Sequence, residues 1–62
     1  MTRQEIRADI RYNIRKGNLP FTFTDNEKPY FNYYKTVGMA AKRFGVKCST
    51  QNKKGVWTIT KI

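Results

Sequence analysis

The sequence predicts an α+β fold in the order α-β-(short turn or helix)-α-β-β, its strands forming a small three-stranded antiparallel sheet. Two segments carry apolar residues at helical spacing, three are alternating or rich in β-branched residues, and glycine or proline punctuates most of the joins. With 62 residues the chain holds one domain, 1–62, and a chain this short buries only roughly 60% of the surface that its unfolded form exposes. Four phenylalanines, four tyrosines and a tryptophan offset that handicap, because each ring buries on the order of 150–250 Å².

The first helix covers residues 2–16, where Ile6, Ile10 and Ile14 recur every four residues and line one face. Thr2 and Glu5 have the spacing of a capping box, each side chain accepting the other's backbone N–H, and Gly17 supplies the stop. Arg3, Arg7, Arg11 and Arg15 repeat at the same interval beside the isoleucines, as a solvated flank or as a phosphate-facing edge. Asp9 is expected to pair with arginines of its own helix.

Phe21-Thr22-Phe23-Thr24 alternates strictly and predicts a short edge strand, after which Asp25-Asn26-Glu27-Lys28-Pro29 is a turn-rich connection with room for one helical turn. The second helix is expected over 30–44, with Tyr30, Tyr34, Val37, Ala41 and Phe44 facing the core and Tyr33, like Tyr12, exposed. Gly38 in its interior costs about 1 kcal/mol relative to alanine, which predicts close packing there, and Gly45 ends the helix. Residues 46–50 and 56–61 read as strands around a hairpin loop, Gln51 to Gly55, with Trp57 and Ile59 turned into the core.

Thirteen lysines and arginines against four acidic residues give a net charge of +9, which costs self-repulsion unless a polyanion is the usual partner. Nucleic acid is the expected partner. A disordered basic tail would be poor in aromatic and β-branched residues, and this chain is rich in both. Cys48 is the single cysteine and there is no histidine, so the chain alone builds neither a disulfide nor a zinc site, and Cys48 reads as a small apolar filler. No metal and no cofactor are expected. The stretch MTRQEIRADIRYNIRKG lacks the apolar run of a signal peptide, and no run approaches the ~18 apolar residues of a membrane span, which predicts a cytoplasmic protein.

Catalysis finds little support. The carboxylates are Glu5, Asp9, Asp25 and Glu27, no histidine is present to act as a base, and Cys48 has no histidine to activate it. Gly17, Gly38, Gly45 and Gly55 are scattered and form no phosphate loop. A non-enzymatic binding module is expected.

Residues 40–46, Ala-Ala-Lys-Arg-Phe-Gly-Val, read at first like the opening of a helix-turn-helix, but polar Gln51 and Lys54 fall where that motif buries apolar residues. If 31–44 is instead the recognition helix, the chain resembles a minimal winged helix-turn-helix domain. Residues 3–16 then match the family's first helix, Phe21 to Thr24 its first strand, 25–30 a degenerate second helix, and 51–55 the wing between the last two strands. The ending AAKRFGVKCSTQNKKGVWTITKI is also similar to small basic proteins of phages and mobile elements.

The resemblance implies a DNA-binding regulator or architectural factor whose third helix enters the major groove and whose wing touches the backbone. Carried onto this chain, Asn32, Lys35, Thr36, Met39, Lys42 and Arg43 face the groove, and Lys53 and Lys54 approach phosphates from the wing; independently of the resemblance, the arginine stripe of the first helix offers Arg7 and Arg11 as further nucleic-acid contacts. The other face of a surface helix is ordinarily just solvated. Here all its charges, Lys35, Lys42 and Arg43, are positive, which tilts the reading toward a ligand. Two alternatives stay open: a single-stranded DNA or RNA binder that stacks bases on Tyr12 and Tyr33, and a phage-type inhibitor of a host protein. A monomer is the default expectation.

Overall fold

Thr2 opens the first helix as its spacing with Glu5 predicts: Thr2 Oγ1 accepts from the Glu5 amide at 3.2 Å and Glu5 Oε1 from the Thr2 amide at 3.0 Å. Helix α1 spans Arg3–Lys16 in a computed structural model that describes residues 2–62, and Gly17 closes it in the left-handed conformation. Ile6, Ile10 and Ile14 are all buried. Strand β1 is Phe21–Thr24, and helix α2 is Tyr33–Phe44.

Helix α2 therefore starts later than the expected residue 30. Asn32 is the residue that caps the helix, its side chain accepting from the Lys35 amide at 3.2 Å. The buried face is accordingly Tyr33, Val37 and Ala40, with Phe44 packed against it, in place of Tyr30, Tyr34, Val37, Ala41 and Phe44. Both sets obey helical spacing and share Val37 and Phe44, so periodicity alone does not choose between them. The hydroxyl chooses: Tyr33 is 0% exposed with its OH on a buried carboxylate, while Tyr30 and Tyr34 are 43% and 52% exposed and rest their edges on Trp57.

Strands β2 (Cys48–Lys53) and β3 (Val56–Lys61) complete an antiparallel sheet of order β1-β3-β2, with β1 at an edge as expected. The register sets Phe21 opposite Ile59 and Phe23 opposite Trp57 on one side, and Thr50 opposite Ile59 and Asn52 opposite Trp57 on the other. Partners in register share a face. That face, with Trp57 and Ile59 at its centre, packs against the isoleucines of α1 and the Tyr33, Val37 and Ala40 side of α2 to make the core.

The hairpin is tighter than the expected 51–55 loop. Gln51, Asn52 and Lys53 belong to β2, and the turn is only Lys54-Gly55, with φ of 51° and 88°. Two successive positive φ values make the mirror-image turn whose twist suits two-residue hairpins. The tip is also docked: the Gly55 carbonyl accepts from the Asp25 amide at 2.9 Å, and a side chain at Gly55 would collide with Asn26.

Residues 25–32 contain no helix, and one buried aspartate organises them instead. Asp25 Oδ2 accepts from the Tyr33 hydroxyl at 2.6 Å and from Arg3 Nε at 3.0 Å, and Oδ1 accepts from the Glu27 amide at 3.2 Å. The Asp25 carbonyl accepts from Trp57 Nε1 at 3.2 Å, while Arg3 also donates to the carbonyls of Glu27 and Pro29, each at 3.2 Å. One residue thus ties α1, α2, β3 and the hairpin tip together. The Tyr33 hydrogen bond, with Arg3 and the Glu27 amide, holds the Asp25 carboxyl below the usual aspartate range despite its burial. Burial, followed by the same carboxylate, pushes the Tyr33 hydroxyl well above its ordinary value.

Two local expectations are corrected. Asp9 makes no ion pair among the described residues, because it lies two positions, roughly 200° round the helix, from both Arg7 and Arg11. Gly38 is exposed, and a methyl group built on it would meet no atom within 4 Å, so no packing inside the domain requires it. Among the described residues, no helix is long and apolar enough to cross a membrane.

Candidate nucleic-acid interface

The arginine stripe of α1 divides into two roles. Arg3 is the structural clamp on Asp25, with Glu27 at 4.0 Å as a second partner. Arg7 and Arg11, one and two turns further on, instead border a groove between α1 and α2 of about 590 Å³. Its α2 side carries Asn32, Lys35, Thr36, Met39 and Arg43, and Phe31 and Ala40 complete the lining. Among the described residues, no carboxylate lines it.

The floor is apolar and the rim cationic. The Arg7 guanidinium lies 5.6 Å from the centre of the Phe31 ring and that of Arg43 5.7 Å from Phe44, contacts that hold the charges over aromatic faces and leave their N–H groups free for a ligand. A second depression of about 300 Å³ continues the first, since Arg11 and Arg43 line both; Tyr12, Arg15 and Phe44 finish it. Arg15 lies 5.9 Å from the Tyr12 ring centre.

Among the described residues the ion pairs are those of Arg3, so Arg7, Arg11, Arg15, Lys35, Lys42 and Arg43 have no carboxylate partner within 4.0 Å. The acidic residues sit elsewhere. Glu5 is spent on the helix cap, whose hydrogen bonds lower its carboxyl, Asp25 is buried, Glu27 lies beside Arg3, and Asp9 lies on the flank of α1 away from Arg7 and Arg11. A surface segregated in this way presents planar guanidinium forks and an ammonium to oxyanions, with flat apolar surface between them.

Seven of the sequence-derived residues meet at this groove: Arg7, Arg11, Asn32, Lys35, Thr36, Met39 and Arg43. Three do not line it. Lys42 is exposed on α2 outside the groove, and Lys53 and Lys54 are at the hairpin tip, which is anchored to Asp25 and is therefore no free-standing wing. Asn32 lines the groove, but its oxygen is engaged by the Lys35 amide, so a bidentate contact with adenine competes with the helix cap. Tyr33 is fully buried and offers no stacking surface, whereas Tyr12 is 52% exposed at the second depression.

Sequence reasoning left out Phe31, Ala40, Phe44 and Arg15. Arg15 was visible as the last member of the four-residue repeat; the apolar floor was not, because it follows from the true frame of α2. Cys48 is only partly exposed, and burial raises its thiol, which leaves less thiolate for nucleophilic chemistry. Comparisons of the chain with protein families, curated proteins and solved structures found no match.

Proposed function

We propose that this protein is a non-enzymatic, double-stranded DNA-binding module of winged-helix-like design. In this reading α2 turns its exposed face toward the major groove, while Arg7, Arg11 and Arg43 take phosphates of the flanking strand and the hairpin tip supplies Lys53 and Lys54. The observation that carries the reading is the segregation of charge: α1 and α2 together set five unpaired cations, Arg7, Arg11, Arg15, Lys35 and Arg43, around an apolar floor, and the carboxylates are turned away or engaged elsewhere. The element order and the β1-β3-β2 sheet support the winged-helix comparison, with the loop around Asp25 standing where that design has its second helix. The test is the triple substitution of Lys35, Lys42 and Arg43 to alanine. Each lost phosphate contact lowers the log–log salt dependence of duplex binding by about 0.9, so the slope should fall by up to about 2.7 with the circular dichroism unchanged. Unchanged affinity and slope would remove α2 from the interface.

A single-stranded reading is favoured by Tyr12, Tyr30 and Tyr34, which are 52%, 43% and 52% exposed among basic residues. Preference for a single strand over its duplex, lost on Tyr34→Ala, would select it.

A further inference from the structure

Gly38 is the one interior residue of α2 that the domain does not explain. It weakens the helix relative to alanine, its φ lies outside the left-handed region, and a β-carbon there would meet nothing within 4 Å. Folding alone would accept alanine and gain from it.

The surroundings of Gly38 say what a bare backbone serves. On α2 it lies three residues after Lys35, four after Tyr34 and four before Lys42, with Met39 beside it. Successive residues advance by about 100°, so Lys35, Gly38, Met39 and Lys42 crown the side of α2 opposite Tyr33, Val37 and Ala40. Met39 is 65% exposed and Tyr34 52%. Lys35 and Lys42 lie two turns apart on one ridge, with Gly38 and Met39 between them along the axis and to either side of the ridge. Along the helix the crest is therefore uncharged and partly apolar in the middle and cationic at both ends, with no carboxylate among its residues. Such a crest suits a nucleic-acid groove, whose floor offers base edges and thymine methyl groups and whose walls offer phosphates.

We propose that Gly38 is the point of closest approach between α2 and duplex DNA, the missing side chain letting the helix sit deep enough for Met39 to reach base edges while Lys35 and Lys42, two turns apart on the same ridge, reach phosphates at the two ends of the contact. This rests on the duplex-binding reading and adds to it a residue that has no charge and makes no hydrogen bond through a side chain.

The experiment pairs stability with binding in Gly38→Ala and Gly38→Gln, using a labelled mixed-sequence duplex and its isolated single strand. Both variants replace glycine with a better helix former, and Gly38→Ala should raise the melting temperature by up to roughly 4–8 °C. It should nonetheless weaken duplex binding on the order of tenfold, as a methyl group forced into a filled contact does, and Gly38→Gln should weaken it further. A stabilised Gly38→Ala that binds the duplex as tightly as the parent overturns the inference and leaves the duplex reading standing. A destabilised Gly38→Ala also overturns it, because the glycine would then serve the fold. Loss confined to the single strand refutes the groove assignment, and a parent protein that binds no duplex at all refutes this inference together with the reading beneath it.

Discussion

Tyr33→Phe removes one oxygen from the centre of the molecule and tests both the frame of α2 and the role of Asp25. The hydroxyl is fully buried and donates to Asp25 Oδ2 at 2.6 Å, a hydrogen bond to a charged acceptor. Such bonds contribute about 1.5–3 kcal/mol. Asp25 Oδ2 keeps its bond from Arg3 Nε, so the carboxylate is not orphaned, and a loss of about 2 kcal/mol is expected. A domain of 62 residues has roughly 3–9 kcal/mol of net stability, so the variant should remove a large fraction of it and lower the melting temperature by roughly 8–16 °C. Urea unfolding followed by the fluorescence of Trp57, whose indole N–H is bonded to the Asp25 carbonyl, reads the change directly. Tyr34→Phe is the control, because Tyr34 is 52% exposed and makes no side-chain hydrogen bond among the described residues; it should change stability by less than about 0.5 kcal/mol. Equal effects from the two substitutions would refute the assigned frame and the hub.

The depressed carboxyl of Asp25 makes the fold acid-sensitive: its contribution is complete above the ordinary aspartate range near ~4 and is lost as pH falls through the lowered folded value. Urea midpoints between pH 7 and pH 2 should show that decline, and Tyr33→Phe should flatten it; an unflattened curve would assign the acid loss to other groups. At the other extreme the raised Tyr33 hydroxyl contributes stability below pH ~10 that is lost as pH rises further, a loss absent from Tyr33→Phe. Gly55→Ala must place a side chain at φ 88° against Asn26 and should cost about 2 kcal/mol or more in the same assay, whereas a neutral result would mean that the hairpin tip is not docked. Arg7→Gln with Arg11→Gln should leave the urea midpoint nearly unchanged and lower the duplex salt slope by roughly 1.8, two phosphate contacts at about 0.9 each.

Much of the fold was legible in the sequence where a pattern had a single reading. Ile6, Ile10 and Ile14, the Thr2–Glu5 box, the Phe-Thr-Phe-Thr strand, and Trp57 with Ile59 appear as their spacing predicts. The start of α2 was not legible, because two tyrosine frames satisfy the same period. What decides between them is a long-range bond to Asp25, eight residues away in sequence but in contact only once the chain is folded. The hairpin misled for a related reason. Polar Gln51 and Asn52 read as loop, yet Asn52 pairs with Trp57 in the ladder and accepts from the Gly55 amide at 2.9 Å. At the candidate site, charge was readable residue by residue. The division of the arginine stripe between Arg3 as a clamp and Arg7, Arg11 and Arg15 as a rim depended on where Asp25 lands, and the apolar floor depended on the corrected frame.

The most direct test of the duplex-binding reading is fluorescence anisotropy with a labelled mixed-sequence duplex and its single strand, titrated with the intact protein across a salt series. The predicted result is tighter binding to the duplex, with log affinity falling linearly in log salt at a slope that corresponds to several phosphate contacts. Tighter binding to the single strand would contradict the duplex reading and favour stacking on the exposed tyrosines. No binding of either strand form at physiological salt would contradict the nucleic-acid reading altogether and turn the cationic groove toward an acidic host protein.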